Sequence, residues 1–165
     1  MFQRLMDRFR KRSITRSIDR DGWTALYVGD YSTGPAWAYT IGFRGTLSAP
    51  EIIVFDVPPA SADAIFQDAF RQIRAGELVI ADGEPWPPDG EGRSVWRKVH
   101  PSRLGENEEP WLGLALVHAC VLNPELGDFE AYQLVLSDSE HRLPWEVGYD
   151  ERLRPRQPAL YEPAL

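Results

Sequence analysis

Hydrophobic positions along this chain fall into blocks whose spacing changes from helical to alternating and back. Phe2, Leu5, Met6 and Phe9 lie at i, i+3, i+4 and i+7, the stripe of an amphipathic helix, with Ile14 and Ile18 continuing it less regularly. Asp21-Gly22 interrupts that pattern, and residues 23–29 (WTALYVG) read as a strand rich in aromatic and β-branched side chains. Turn chemistry at 30–35 (DYSTGP) and a second strand at 36–43 (AWAYTIGF) make a hairpin with the first. A third strand, 51–57 (EIIVFDV), is apolar enough to be buried on both faces and ends at Pro58-Pro59. Ser61 is placed to cap the next helix, in which Ile65, Phe66, Ala69, Phe70 and Ile73 recur at helical spacing and Gly76 supplies the stop.

The second half is less regular. Residues 78–81 suggest a short strand, and 82–92 (DGEPWPPDGEG) a surface loop that contains Trp86. Residues 93–100 and 130–137 read as strands. The run from Leu112 to Leu122 is the most hydrophobic, and periodicity does not choose between helix and strand for it. The tail from Asp138 onward is proline-rich and suits a segment wrapped over the surface. Helix, three strands, helix and further strands lack the βαβαβ alternation of a doubly wound sheet. The expectation is an α+β domain: a mostly antiparallel sheet or half-barrel with a helix packed on one face. The division is an N-terminal amphipathic basic helix at 1–20 and one domain at 21–165.

Charge sharpens this picture. The total is −7, yet residues 1–20 carry seven basic side chains against Asp7 and Asp19, which leaves −12 for the rest. Arg4, Arg8, Lys11 and Arg12 form a basic surface on the first helix, suited to solvent, to a second copy of the helix in a homodimer, or to an anionic surface. The acidic body argues against nucleic acid as a partner. A single cysteine, Cys120, excludes an internal disulfide and any multi-cysteine zinc site. No apolar run approaches the roughly 20 residues that span a bilayer, and the N-terminus lacks a secretory signal, so a cytoplasmic location is expected.

Gly22-Trp23, the AYTIG of 38–42, Pro50-Glu51, Ala75-Gly76, the QLV of 133–135 and the PWE-x-GY of 144–149 occur in an order that resembles the bacterial domain family DUF4262. The resemblance covers roughly residues 20–160 and implies no particular activity. Two departures stand out: Ala49 occupies a place where the family often has His, and the chain opens with the basic helix rather than a Cys-containing segment.

The chemistry-bearing residues are sparse. His118 and Cys120 would share a face of a strand, as a thiolate–imidazole pair requires, but they lie in the most apolar run, where cysteine is normally inert. Asp138 and Glu140 beside His141 read as a solvated turn rather than a catalytic carboxylate pair. Metal-ligand spacings, phosphate loops and nucleophile elbows are not found, so neither metal nor cofactor is implied. The remaining signal is aromatic. Tyr39, Glu51, Trp86, Trp145 and Tyr149 are the candidate residues for an apolar, ring-lined surface that binds a protein partner or small ligand. Two other readings stand beside this binding module. One is an enzyme using Glu51, His100 or His118 in a pocket; the other is an acidic immunity-type protein that neutralises a basic partner in a bacterial conflict system.

Overall fold

Chain order in the computed structural model is α1 (Phe2–Asp21), β1 (Thr24–Val28), β2 (Trp37–Ile41), α2 (Phe43–Leu47), β3 (Glu51–Phe55), α3 (Pro59–Arg74), β4 (Ser94–Lys98) and β5 (Ala131–Leu136). Single 3₁₀ turns follow at Pro101–Arg103 and Glu151–Leu153. The structure describes residues 2–87, 93–104 and 130–163, with side chains of α1 from Arg12 onward. The apolar run from Leu112 to Leu122, with His118 and Cys120, lies outside the described residues.

The five strands form one sheet in the order β1-β2-β3-β5-β4. β1, β2 and β3 are successive antiparallel neighbours, as the hairpin pattern predicts. β5 then enters between β3 and β4, parallel to the first and antiparallel to the second. Among the described residues this β3–β5 pair is the one parallel pairing, and it joins strands between which α3 and the oppositely running β4 intervene in the chain. The fold is therefore α+β with a mostly antiparallel open sheet.

Every residue of β2 and β3 is buried because both faces of the sheet are covered. On one face, Ala62, Phe66, Ala69 and Phe70 of α3 pack on Ala38, Ile52, Val54, Trp96 and Leu134. Trp23 closes this layer edge-on to Phe43 and Phe66, with ring centroids 5.7 and 6.2 Å away. On the opposite face, Trp37, Tyr39, Ile41, Ile53 and Phe55 are joined by Ile14 from α1 and Leu160 from the tail. The basic helix thus packs on the body through Ile14, and Arg12 faces solvent.

Several local expectations are corrected. The second strand stops at Ile41 rather than Phe43: Gly42 adopts φ +115°, turns the chain, and starts the short α2. A Cβ at Gly42 would lie 2.8 Å from the Gly22 carbonyl oxygen, so the turn requires glycine. α3 begins at Pro59, not after Ser61, because a proline in the first turn has no N–H to satisfy and its φ suits a helix. Residues 78–81 form no strand.

The segment around Trp86 is not a free surface loop either. Gly83 and Trp86 donate backbone N–H bonds to the Trp96 and Ser94 carbonyls, and Trp96 N–H donates to Glu84, covering the outer edge of β4. Trp86 is drawn inward, 5.4 Å from the Trp96 ring, and its Nε1 donates to Gln72 Oε1 at 3.1 Å.

The tail is fastened by two glutamines. Gln133, fully buried on β5, donates to Pro158 O at 2.9 Å and accepts from Leu160 N at 3.0 Å. Gln157 returns the contact, accepting from Leu136 N at 2.8 Å and donating to Leu136 O at 2.9 Å. Each side-chain amide takes the part that a neighbouring strand's backbone would play.

Candidate functional site

β5 ends at Leu136, and the chain then makes the loop 137–149, which carries the most exposed large apolar side chains after the sheet. Its organiser is Asp138, whose carboxylate is buried despite the polar DSEHR sequence around it. Oδ1 accepts from the N–H groups of Glu140 and Arg142, both at 2.9 Å, and Oδ2 from Asp150 N at 3.1 Å. Burial alone would raise this carboxyl, but the three backbone donors and the Arg142 guanidinium outweigh it and hold its pKa below the usual value. The expected solvated turn therefore holds for Glu140 and His141, which are exposed, but not for Asp138.

Glu146 repeats the device. Its carboxylate accepts from Leu143 N at 2.8 Å and pairs with Arg93 at 2.8 Å, and these two partners lower its pKa. Arg154 reaches across to donate to Pro144 O at 2.8 Å. Gly148, at φ +86°, lies against the Arg142 guanidinium. Every turn of the loop is thus tied to backbone hydrogen bonds.

The tied loop presents Trp145 and Val147 outward, 47% and 99% exposed. Trp145 meets Tyr161 edge-on at 5.8 Å, and the Arg97 guanidinium sits over both rings, 5.1 and 4.5 Å from their centroids. Arg97 is itself anchored to Asp82 at 3.2 Å. Trp145 therefore stands on a built platform rather than a flexible tip. Tyr149, from the same block, points the other way: it is buried, with Gln157 Nε2 3.4 Å from its hydroxyl and Arg154 over its ring.

The other candidate residues are not gathered here. Tyr39 lies in the buried layer beneath α1 and the tail, opposite Ile53. Trp86 is in the layer beneath α3. Glu51 opens β3 and is only 5% exposed. Its Oε2 accepts from Thr40 Oγ1 at 2.6 Å, and Oε1 accepts from Gly42 N at 2.9 Å and Arg44 N at 3.3 Å. Thr40 Oγ1 in turn accepts from Ile52 N at 2.9 Å. Glu51 thereby satisfies the first N–H groups of α2, whose own N-cap residue, Gly42, has no side chain. Burial pushes its pKa upward, while the bonds from Thr40 and the backbone pull it down less strongly. His100 is likewise structural in its contacts, its Nδ1 accepting from Ser102 N at 3.2 Å.

Among the described residues, no three His, Cys, Asp or Glu side chains come together in a group that could hold a metal ion, and no helix is long and apolar enough to cross a membrane. Sequence reasoning passed over Arg97 and Tyr161, which complete the Trp145 platform. Their only signal was position: Arg97 lies on β4, and Tyr161 lies in the tail that the two glutamines fasten.

No curated protein and no solved structure matches the chain. A family model described as a domain of unknown function, DUF4262, matches residues 17–150. That span runs from the last turn of α1 through the whole sheet to the end of the Trp145 loop, and on this match the chain belongs to the DUF4262 family.

Proposed function

We propose that this domain is a binding module that engages a protein partner through the loop 143–149, with Trp145 as its anchor. The observation that carries the reading is the pairing of exposure with rigidity: Trp145 and Val147 face solvent on a loop whose backbone is held by Asp138 and Glu146. Exposed tryptophan is a leading anchor type in protein interfaces, and a preorganised loop loses little conformational entropy on binding. Arg97 and Arg93 form a polar rim around it, both already paired within the chain.

An enzymatic reading through Glu51 has one supporting feature, its raised pKa. Both of its carboxylate oxygens, however, are engaged by the chain itself in a buried position. The Trp145 loop is the stronger candidate because its side chains are available.

The test is a photo-crosslinking amino acid placed at Val147 in the host cell, with the same group at Val79 as a control. Val79 is 83% exposed but lies outside the loop. A discrete adduct is expected from position 147, not from 79, and it disappears in the Trp145→Ala background. Equal adducts from both positions, or none from 147, refute the proposal.

A further inference from the structure

A second feature lies on another part of the molecule, where the end of α1, β1 and α3 leave an open groove of about 540 Å³. Ser17, Arg20, Thr24, Tyr27, Asp63 and Gln67 contribute its polar groups, and the walls include Trp23 and Ala25. The charges in this groove are unequally matched. Arg20 is committed to Asp21 by a close two-point fork, with bonds of 2.9 Å from Nε and 2.6 Å from Nη2 to Oδ2. Among the described residues Asp63 meets no cation: Oδ1 accepts from the Tyr27 hydroxyl at 3.3 Å and Oδ2 from Gln67 Nε2 at 2.8 Å, both neutral donors. No ion pair to Asp63 occurs among the described residues.

The groove therefore holds a fixed, oriented carboxylate with net charge −1 once Arg20 and Asp21 cancel. Tyr27 registers that field. Burial and then the negative charge of Asp63 push the phenol up to about 12, so it stays a neutral donor beside the carboxylate. An aromatic ring next to an uncompensated carboxylate is the arrangement that attracts an organic cation, through charge and the ring's negative face together. The overall charge of −7 draws cations toward the protein in the same sense.

We propose that this groove binds an organic cation bearing a primary ammonium or guanidinium group, seated on Asp63 and against Tyr27. The bond that forms replaces no existing ion pair. Gln67 and the Tyr27 hydroxyl keep the carboxylate aimed while the ligand's N–H groups take its remaining lone pairs. The same head group is found on free polyamines and on lysine or arginine side chains, and the test separates the two sources.

The experiment is an amide and side-chain NMR titration of the full chain with putrescine, agmatine and N-acetyl-lysine amide, with 1,4-butanediol as the neutral match for putrescine. Saturable shifts are expected at Thr24, Ala25 and the Gln67 side-chain amide, with a Kd of about 1 mM or below for at least one cation and none for butanediol. Saturation by putrescine or agmatine alone assigns a free amine, and saturation by N-acetyl-lysine amide alone assigns a protein side chain. The Asp63→Asn variant is expected to bind at least about tenfold more weakly with its remaining spectrum unchanged, and Tyr27→Phe to weaken binding less. No saturable shift from any cation, equal shifts from butanediol, or unchanged affinity in Asp63→Asn overturns the proposal. If Asp63→Asn does not fold, Tyr27→Phe decides instead: measurably weaker binding supports the proposal and unchanged affinity overturns it. The groove and the Trp145 loop are separate sites, so either can fail without the other.

Discussion

Replacing Glu51 tests whether a buried carboxylate can act as the cap of a helix whose own cap residue is glycine. Three donors converge on it, two of them backbone N–H groups at the start of α2. Glu51→Leu leaves both backbone donors buried without an acceptor, each costing about 1–3 kcal/mol, while the Thr40 hydroxyl keeps its bond from Ile52. The expected loss is about 3 kcal/mol, a large fraction of the roughly 5–15 kcal/mol that stabilises a typical domain. Glu51→Gln keeps an acceptor toward Gly42 and Arg44 and is expected to cost about 1 kcal/mol.

The glutamine variant also isolates the ionisation. Burial raises the Glu51 pKa above its unfolded value, so the folded protein holds this proton more tightly than the unfolded chain does. The stability contributed by this group is complete below the unfolded value of about 4.3 and declines as pH rises through the folded value. The Glu51→Gln variant lacks that decline, so wild type should lose stability relative to it as pH rises. Urea unfolding followed by tryptophan fluorescence across this range measures the difference. If wild type instead gains on Glu51→Gln as pH rises, hydrogen bonding outweighs burial and the reasoning fails. A Glu51→Leu variant within 1 kcal/mol of wild type would refute the capping role.

Other expectations follow from the tied segments. Gln133→Leu orphans Leu160 N and Pro158 O; it should cost about 2 kcal/mol and make the tail cleavable in limited proteolysis, and a protected tail would contradict the fastening. Gly42→Ala forces a Cβ toward the Gly22 carbonyl at positive φ, and should lose about 2 kcal/mol in urea unfolding. Asp138→Ala should speed hydrogen exchange at the amides of Glu140, Arg142 and Asp150. Because the Asp138 pKa is lowered on folding, wild-type protection there is full above the unfolded value of about 3.9 and is lost as pH falls through the folded value. Trp145→Ala should leave stability within about 1 kcal/mol of wild type, since its ring is half-exposed, so lost crosslinking would report binding rather than unfolding.

The sheet was legible in the sequence because its pattern is strong. Buried strands read as apolar runs, and α3 carries five apolar residues at helical spacing. The start of α3 was misplaced because a proline and a nearby serine are both valid signals, and only one can open the helix. The prolines and glycines of 82–92 mark a surface loop, and Trp86 within it suits either a ring that pins the loop onto the core or part of a binding surface; residues 83–86 pair with β4 and bury the ring, which is the first of these. Asp138 shows the same limit from the polar side. A sequence of DSEHR specifies a turn, but not that one carboxylate will turn inward to collect three N–H groups. Of the aromatic candidates only Trp145 reached the surface. Alternation assigns Tyr39 to a sheet face without revealing that α1 and the tail cover that face.

The insertion of β5 between β3 and β4 has a consequence for how the protein emerges during synthesis. β1, β2 and β3 can pair as soon as they leave the ribosome, since each neighbour follows the last in sequence. β4 can pair only with residues 83–86 on its outer edge, because its strand neighbour is β5, which also supplies the second edge for β3. Until residue 136 has been made, the nascent chain holds a three-stranded half with an open edge at β3 and a β4 segment waiting beside it. Such an edge is a template for pairing with another chain, and long-range closure of this kind is slow. The last strand translated is therefore the one that unites the sheet, and a stall before it would expose the most hydrophobic of the partly built edges.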